Sequence, residues 1–132
     1  MPDALAIALE HHRAGRVRQA ADAYRALIAQ DPNHADALNW LGVLAFQAGR
    51  PDHAIPLLER ATKIRPDDPA FAHNLGMAHL HANHFTDAIA AFERASKLAP
   101  DRPETLHAWG LAHLARRTEG EPGHEATPDD VG

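Results

Sequence analysis

A spacing of 34 residues governs what this chain can fold into. Pro32, Pro66 and Pro100 follow one another at that distance, and the same shift carries Leu41-Gly42 onto Leu75-Gly76 and then onto Trp109-Gly110. It also carries Ala20 onto Ala54 and Ala88, and Tyr24 onto Leu58 and Phe92. Several kinds of position recurring at one interval mark a chain built from copies of one supersecondary unit. A period of this size belongs to units that stack, because a single copy buries too little surface to stand alone.

Within one period the pattern gives two helices and two turns. From Ala35 to Ala48, apolar residues at Leu38, Leu41, Ala45 and Ala48 recur every three or four places, which is a helical stripe. Gly49-Arg50-Pro51-Asp52 breaks it: glycine takes the left-handed backbone of a helix end, and Asp52 is expected to cap the next helix. A second stripe runs through Ala54, Ile55, Leu58, Ala61 and Ile64 up to Pro66, which lacks the N–H that would extend the ladder. Pro69 and Pro103 suit the first turns of the units that follow. The small residues Gly42 and Gly76, set opposite Ala54 and Ala88, let two antiparallel helices approach closely. Pro56 falls a turn inside its helix, where a bend is expected.

These residues carry a resemblance. The chain resembles the tetratricopeptide repeat family, whose pattern W-x2-L-G-x2-Y…A-x3-F…P stands here as Leu38, Leu41-Gly42, Ala45, Ala54, Leu58 and Pro66. It stands again as Ala72, Leu75-Gly76, His79, Ala88, Phe92 and Pro100, and more weakly as Ala4, Ile7-Ala8, His11, Ala20, Tyr24 and Pro32. The expected architecture is all-α: an α-solenoid of antiparallel helix pairs in a right-handed superhelix. Its units are 1–34, 35–68 and 69–102, with a terminal helix over 103–117. The resemblance implies a concave face that holds peptides or helices.

The fourth copy stops after one helix. Leu106, Trp109-Gly110 and His113 keep the signature of a helix that receives a partner, and none follows. Leaving such a face bare forfeits on the order of a few kcal/mol at roughly 25 cal/mol per Å². Two readings stand: this face pairs with a second copy or with another protein's helix, or Trp109 tilts back onto Phe92 within one chain. Residues 118–132, rich in Pro, Gly and acid and without Lys or Arg, read as a disordered acidic tail.

The resemblance implies that the first helices of the units build the inner wall. Helical spacing sets Leu5, Leu9 and His12 on it, then Asn39, Trp40, Val43, Phe46 and Gln47. The third unit adds His73, Asn74, Met77, Leu80 and His81, and the last helix adds His107, Leu111 and Leu114. Such an apolar wall with interspersed amides and imidazoles suits an amphipathic helix or an apolar peptide. The competing reading for Trp40 and Phe46 is packing between adjacent units. Some family members grip a C-terminal carboxylate with Lys, Arg and Asn. The matching places here are Leu5, Leu9, Trp40, Ala70 and Asn74, so one residue of that clamp is present. The asparagine ladder of sugar-transferring relatives is likewise reduced to Asn74, beside Ala6, Trp40 and Ala108.

Composition removes most other functions. The chain is 45% hydrophobic and 23% charged, the balance of a soluble globular protein. Five of the 18 acidic side chains lie in 118–132, leaving the rest balanced at 13 acidic and 13 basic. That neutrality offers no footprint for nucleic acid or an anionic membrane. No stretch reads as a secretory signal or a membrane span, so the cytoplasm is the expected location. With no cysteine, thiolate metal sites are excluded. Among the eleven histidines, His81 and His84 share a face, but no carboxylate is expected beside them, so neither metal nor cofactor is expected. Groove histidines in contact with a ligand would make its binding respond to pH between roughly 5 and 7. There is no phosphate loop, nucleophile elbow or thiol, so no enzymatic activity is expected. The sequence thus points to a protein-binding adaptor. The alternatives are a self-assembling scaffold, with a homodimer through the C-terminal helix, and an accessory module for a separately encoded enzyme.

Overall fold

The computed structural model describes residues 3–119. Seven α-helices follow one another there: α1 (Ala4–Arg13), α2 (Val17–Gln30), α3 (Ala35–Gln47), α4 (Pro51–Ile64), α5 (Pro69–His81), α6 (Phe85–Leu98) and α7 (Pro103–Glu119). They pair as α1 with α2, α3 with α4 and α5 with α6, while α7 packs on α6 and has no following partner among the described residues. This is the expected stack of hairpins.

Local chemistry sets the helix limits. The Asp3 carboxylate accepts from the Leu5 N–H, His34 Nδ1 accepts from the Ala37 N–H, and the Asp68 carboxylate accepts from the N–H groups of Ala70 and Phe71. Pro51, Pro69 and Pro103 occupy first helical positions. Asp52 does not cap α4 as expected: the helix begins two residues earlier, at Pro51, and Asp52 sits in its first turn, facing the positive end of the helix dipole. Each hairpin turn carries one left-handed residue, Gly15, Gly49 or Asn83, at φ of 77°, 79° and 62°. After it, the N–H of Arg16, Arg50 or His84 donates back to the carbonyl of His11, Ala45 or His79 at 2.8–2.9 Å, which closes the end of the preceding helix.

Inside each pair, Ala20, Ala54 and Ala88 are fully buried together with Tyr24, Leu58 and Phe92. The side chains standing over the glycines are the large ones rather than the alanines. A Cβ at Gly42 would lie 2.6 Å from Leu58 Cγ, and one at Gly76 would lie 2.5 Å from Phe92 Cε1. Between units, Arg60 donates to the Pro32 carbonyl at 3.0 Å and Arg94 to the Pro66 carbonyl at 2.7 Å, the same tie repeated one period on.

The contacts give the stack its curvature. Helix α3 touches both α1 and α5, and α5 touches α7, whereas α2 does not reach α4 and α4 does not reach α6 among the described residues. The row α1, α3, α5, α7 is therefore the close-packed inner wall. On the opposite side a cleft of about 610 Å³ opens between α2 and α4, floored by Ala21, Leu41, Leu44 and Leu57. Pro56 lines that cleft, and α4 runs through it without interruption from Pro51 to Ile64. Its missing N–H removes one rung of the ladder on an exposed face, where the loss is easily borne.

Helix α7 runs two residues beyond the expected end, and Thr118 Oγ1 donates to the Leu114 carbonyl at 3.1 Å. The segment read as a disordered acidic tail therefore begins inside a helix, and its remainder, 120–132, lies outside the described residues.

Candidate functional site

The inner wall is held by hydrogen bonds that tie each first helix to the next. His12 occupies the first joint: its Nε2 lies 2.7 Å from Gln47 Oε1 and its Nδ1 2.9 Å from Tyr24 Oη. Because Oε1 only accepts, Nε2 carries the proton and Nδ1 receives the Tyr24 hydroxyl. Burial pushes that phenol up to about 12, against the smaller opposing pull of Arg13, so it stays a donor. Trp40 stands edge-on to His12 with ring centroids 6.0 Å apart, half-buried between the first and second units.

At the second joint, Asn74 Nδ2 donates to Asn39 Oδ1 at 3.0 Å. Phe46 stacks on His81 with ring centroids 5.2 Å apart. At the third, His73 Nδ1 and Thr105 Oγ1 lie 3.0 Å apart, with Thr105 buried. Burial lowers the His73 pKa below the ordinary imidazole value, helped by Arg102 and opposed by Glu104.

These joints correct part of the expected wall. Asn39, only 2% exposed, is buried together with Val43 and Phe46, because α5 lies directly over them. These three side chains are joints between units and offer little to a ligand. The surface left along the row consists of Leu9, Trp40, Asn74, Met77, Leu80 and His73, all partly exposed, and of Gln47, His81, His107 and Leu111, which are exposed. On α7 the positions equivalent to Asn39, Val43 and Phe46 are His107, Leu111 and Leu114. With no further helix over them among the described residues, Leu111 and Leu114 are 44% and 57% exposed.

The other face of α7 differs again. Leu106 occupies the place of the buried Leu38 and Ala72 yet is 46% exposed, and a Cβ on Gly110 would meet nothing within 4 Å. Trp109 packs against the cluster of Ala88, Ile89 and Phe92 within the chain, which accords with the second of the two readings for it. Its indole Nε1 is buried without an acceptor among the described residues. His113 is exposed beside it, with ring centroids 6.0 Å apart.

The reading of the histidines is also corrected. His84 meets His79, not His81, across the α5–α6 turn, and the carboxylate of Asp87 stands with them. The signal lay in the left-handed turn at Asn83, which brings the end of one helix beside the start of the next. Angular spacing on a single helix does not see this.

Comparisons with known proteins fit this geometry. One tetratricopeptide repeat profile matches residues 5–69 and a second matches residues 45–109. A search of curated protein sequences gives no match. Among solved structures, an O-GlcNAc transferase from Thermobaculum terrenum superposes with a TM-score of 0.81 at 25% identity, covering 88% of this chain and 22% of that one. The first repeat domain of Spaghetti (RPAP3), bound to an HSP90 peptide, gives 0.81 at 16% identity, covering 85% and 89%. MamA from Desulfovibrio magneticus RS-1 gives 0.81 at 19% identity, covering 86% and 64%. The chain thus spans less than two thirds of the first and third. No helix of the described residues is long and apolar enough to cross a membrane. Two overlapping profiles that together run from residue 5 to residue 109 place the chain in the tetratricopeptide repeat family.

Proposed function

We propose that this protein is an interaction adaptor that holds an amphipathic helix or apolar peptide against the row α1, α3, α5, α7. The observation that carries this reading is the run of partly or fully exposed apolar side chains on successive first helices: Leu9, Trp40, Met77, Leu80 and Leu111. Gln47, Asn74 and His81 stand between them as polar partners for a bound backbone. A structural relative seen with an HSP90 peptide supports peptide binding by this architecture. The occupant differs, however, because Leu5, Leu9, Trp40 and Ala70 replace the cationic clamp that a carboxylate terminus needs. The asparagine ladder of the transferase-type arrays is also unsupported, since Asn74, its one remaining rung, spends its amide on Asn39.

Selection of displayed 16-residue peptides on the immobilised chain, followed by calorimetry, tests the proposal. Selected peptides are expected to carry apolar residues at helical spacing. Leu80→Glu and Leu111→Glu are each expected to weaken them by about tenfold or more, equivalent to roughly 1.4 kcal/mol. Peptides defined by an acidic C-terminus, or affinities untouched by both substitutions, would overturn it.

A second reading, a homodimer through α7, is favoured by the open space above Gly110 beside the exposed Leu106. Two copies meeting face to face would each supply the covering helix that α7 lacks among the described residues. Sedimentation equilibrium at high concentration is expected to give twice the chain mass, reverting to one chain mass in Leu106→Glu. A monomer throughout rules the dimer out.

A further inference from the structure

The turn between α5 and α6 brings together three side chains that have no part in the wall. One atom each of His79, His84 and Asp87 lies within 4.8 Å of the other two. His79 lies in the last turn of α5, His84 precedes α6, and Asp87 lies in the first turn of α6. The imidazoles of His79 and His84 are 5.7 Å apart, and the Nδ1 of His79 is buried without a hydrogen-bond partner.

The repeat itself shows what stands at this place elsewhere. In the first unit, the residue equivalent to His79 is His11, whose Nδ1 accepts from the guanidinium of Arg16 at 2.8 Å. In the second unit, Arg50 at the matching position lies 2.7 Å from His53, the equivalent of Asp87. Both earlier turns therefore set a fixed cation against an imidazole. In the third the arginine is replaced by His84 and the His53 position by Asp87, so two imidazoles and a carboxylate face one another with no arginine among them. Three lone-pair donors stand where a cationic group stood twice before.

We propose that His79, His84 and Asp87 bind a divalent transition-metal ion of the zinc type, which staples α5 to α6 across the turn. Two nitrogens and one carboxylate oxygen form a donor set that such ions accept at about 2.0–2.2 Å, leaving a fourth position to water. At that bond length tetrahedral ligands stand roughly 3.3–3.5 Å apart, so separations of up to 4.8 Å must contract by up to about 1.5 Å. His84 and Asp87 are exposed and free to rotate inward, whereas His79 is held by its packing. Burial of the His79 imidazole favours its neutral, ligating form, while the carboxylates of Asp87 and, from α4, Glu59 act in the opposite sense, favouring positive charge there against the smaller effect of His84.

The test is calorimetric titration of the untagged full chain, freed of metal with a chelator, using zinc chloride at pH 7.5. One ion per chain is expected, together with a rise in melting temperature. His84→Ala and Asp87→Asn are each expected to weaken binding by about tenfold or more. His53→Ala and His107→Ala, which remove exposed histidines elsewhere, should leave it unchanged. Both key substitutions are at exposed positions, so an unaltered helical circular dichroism signal separates loss of metal from loss of fold. Absence of zinc binding, or binding that survives both substitutions unweakened, overturns the assignment.

Discussion

Phe92→Ala is expected to lower the stability of the chain by about 3–5 kcal/mol, the usual cost of emptying a large buried aromatic site. The ring is fully buried, covers Gly76, touches the His73 imidazole with centroids 5.7 Å apart, and belongs to the cluster that receives α7. Gly76 has no side chain and Ala88, Ala108 and Ala112 are short, so much of the space it leaves has no side chain beside it able to fill it. A stack of this kind is held by contacts between adjacent units, so the loss falls first on α5, α6 and α7. Urea denaturation followed by circular dichroism is expected to show a lower midpoint, with the C-terminal units melting before the first. A midpoint within about 1 kcal/mol of the parent would contradict this account of the core.

The glycines at matching positions are expected to respond with opposite signs. Alanine is favoured over glycine inside a helix by about 1 kcal/mol, yet Gly76→Ala places a methyl group 2.5 Å from the edge of an immobile ring. Overpacking of that kind costs about 1–3 kcal/mol and outweighs the gain. Gly42→Ala meets Leu58 Cγ at 2.6 Å and is destabilising by the same mechanism. Gly110→Ala meets nothing and is expected to raise the stability by up to about 1 kcal/mol in the isolated chain. Measuring the three side by side in one denaturation series tests the geometry directly. A stabilising substitution at Gly76 would show that Phe92 does not sit where it is described.

How far the sequence could be read depended on what each residue answers to. The period of 34 was legible because Pro32, Pro66 and Pro100 act on their own backbone, and because each of Leu41-Gly42 and Leu75-Gly76 belongs to a contact made anew in its unit. The inner wall was only partly legible. Helical spacing puts Asn39, Val43 and Phe46 on the correct side of α3, but it does not say that α5 closes over them. Position on a helix fixes direction; the depth of cover comes from a neighbour, and that is a tertiary fact. The same limit hid the meeting of His79, His84 and Asp87, which rests on a chain reversal rather than on a shared helix face. The Tyr24–His12–Gln47 chain spans the first two units and had no sequence signature.

The separation of α2 from α4, and of α4 from α6, has a mechanical consequence. A row of slats fastened along one edge acts as a leaf hinge, stiff against sliding along the fastened edge and compliant in curling. Opening or tightening the curl breaks no close backbone packing between the outer helices, which meet only through side chains such as Ile28 and Leu57 at the edges of shared clusters. It also strains the polar ties from Arg60 and Arg94 to the carbonyls of Pro32 and Pro66. Each tie is near the surface and costs little to stretch, so the curl of the stack is its softest deformation.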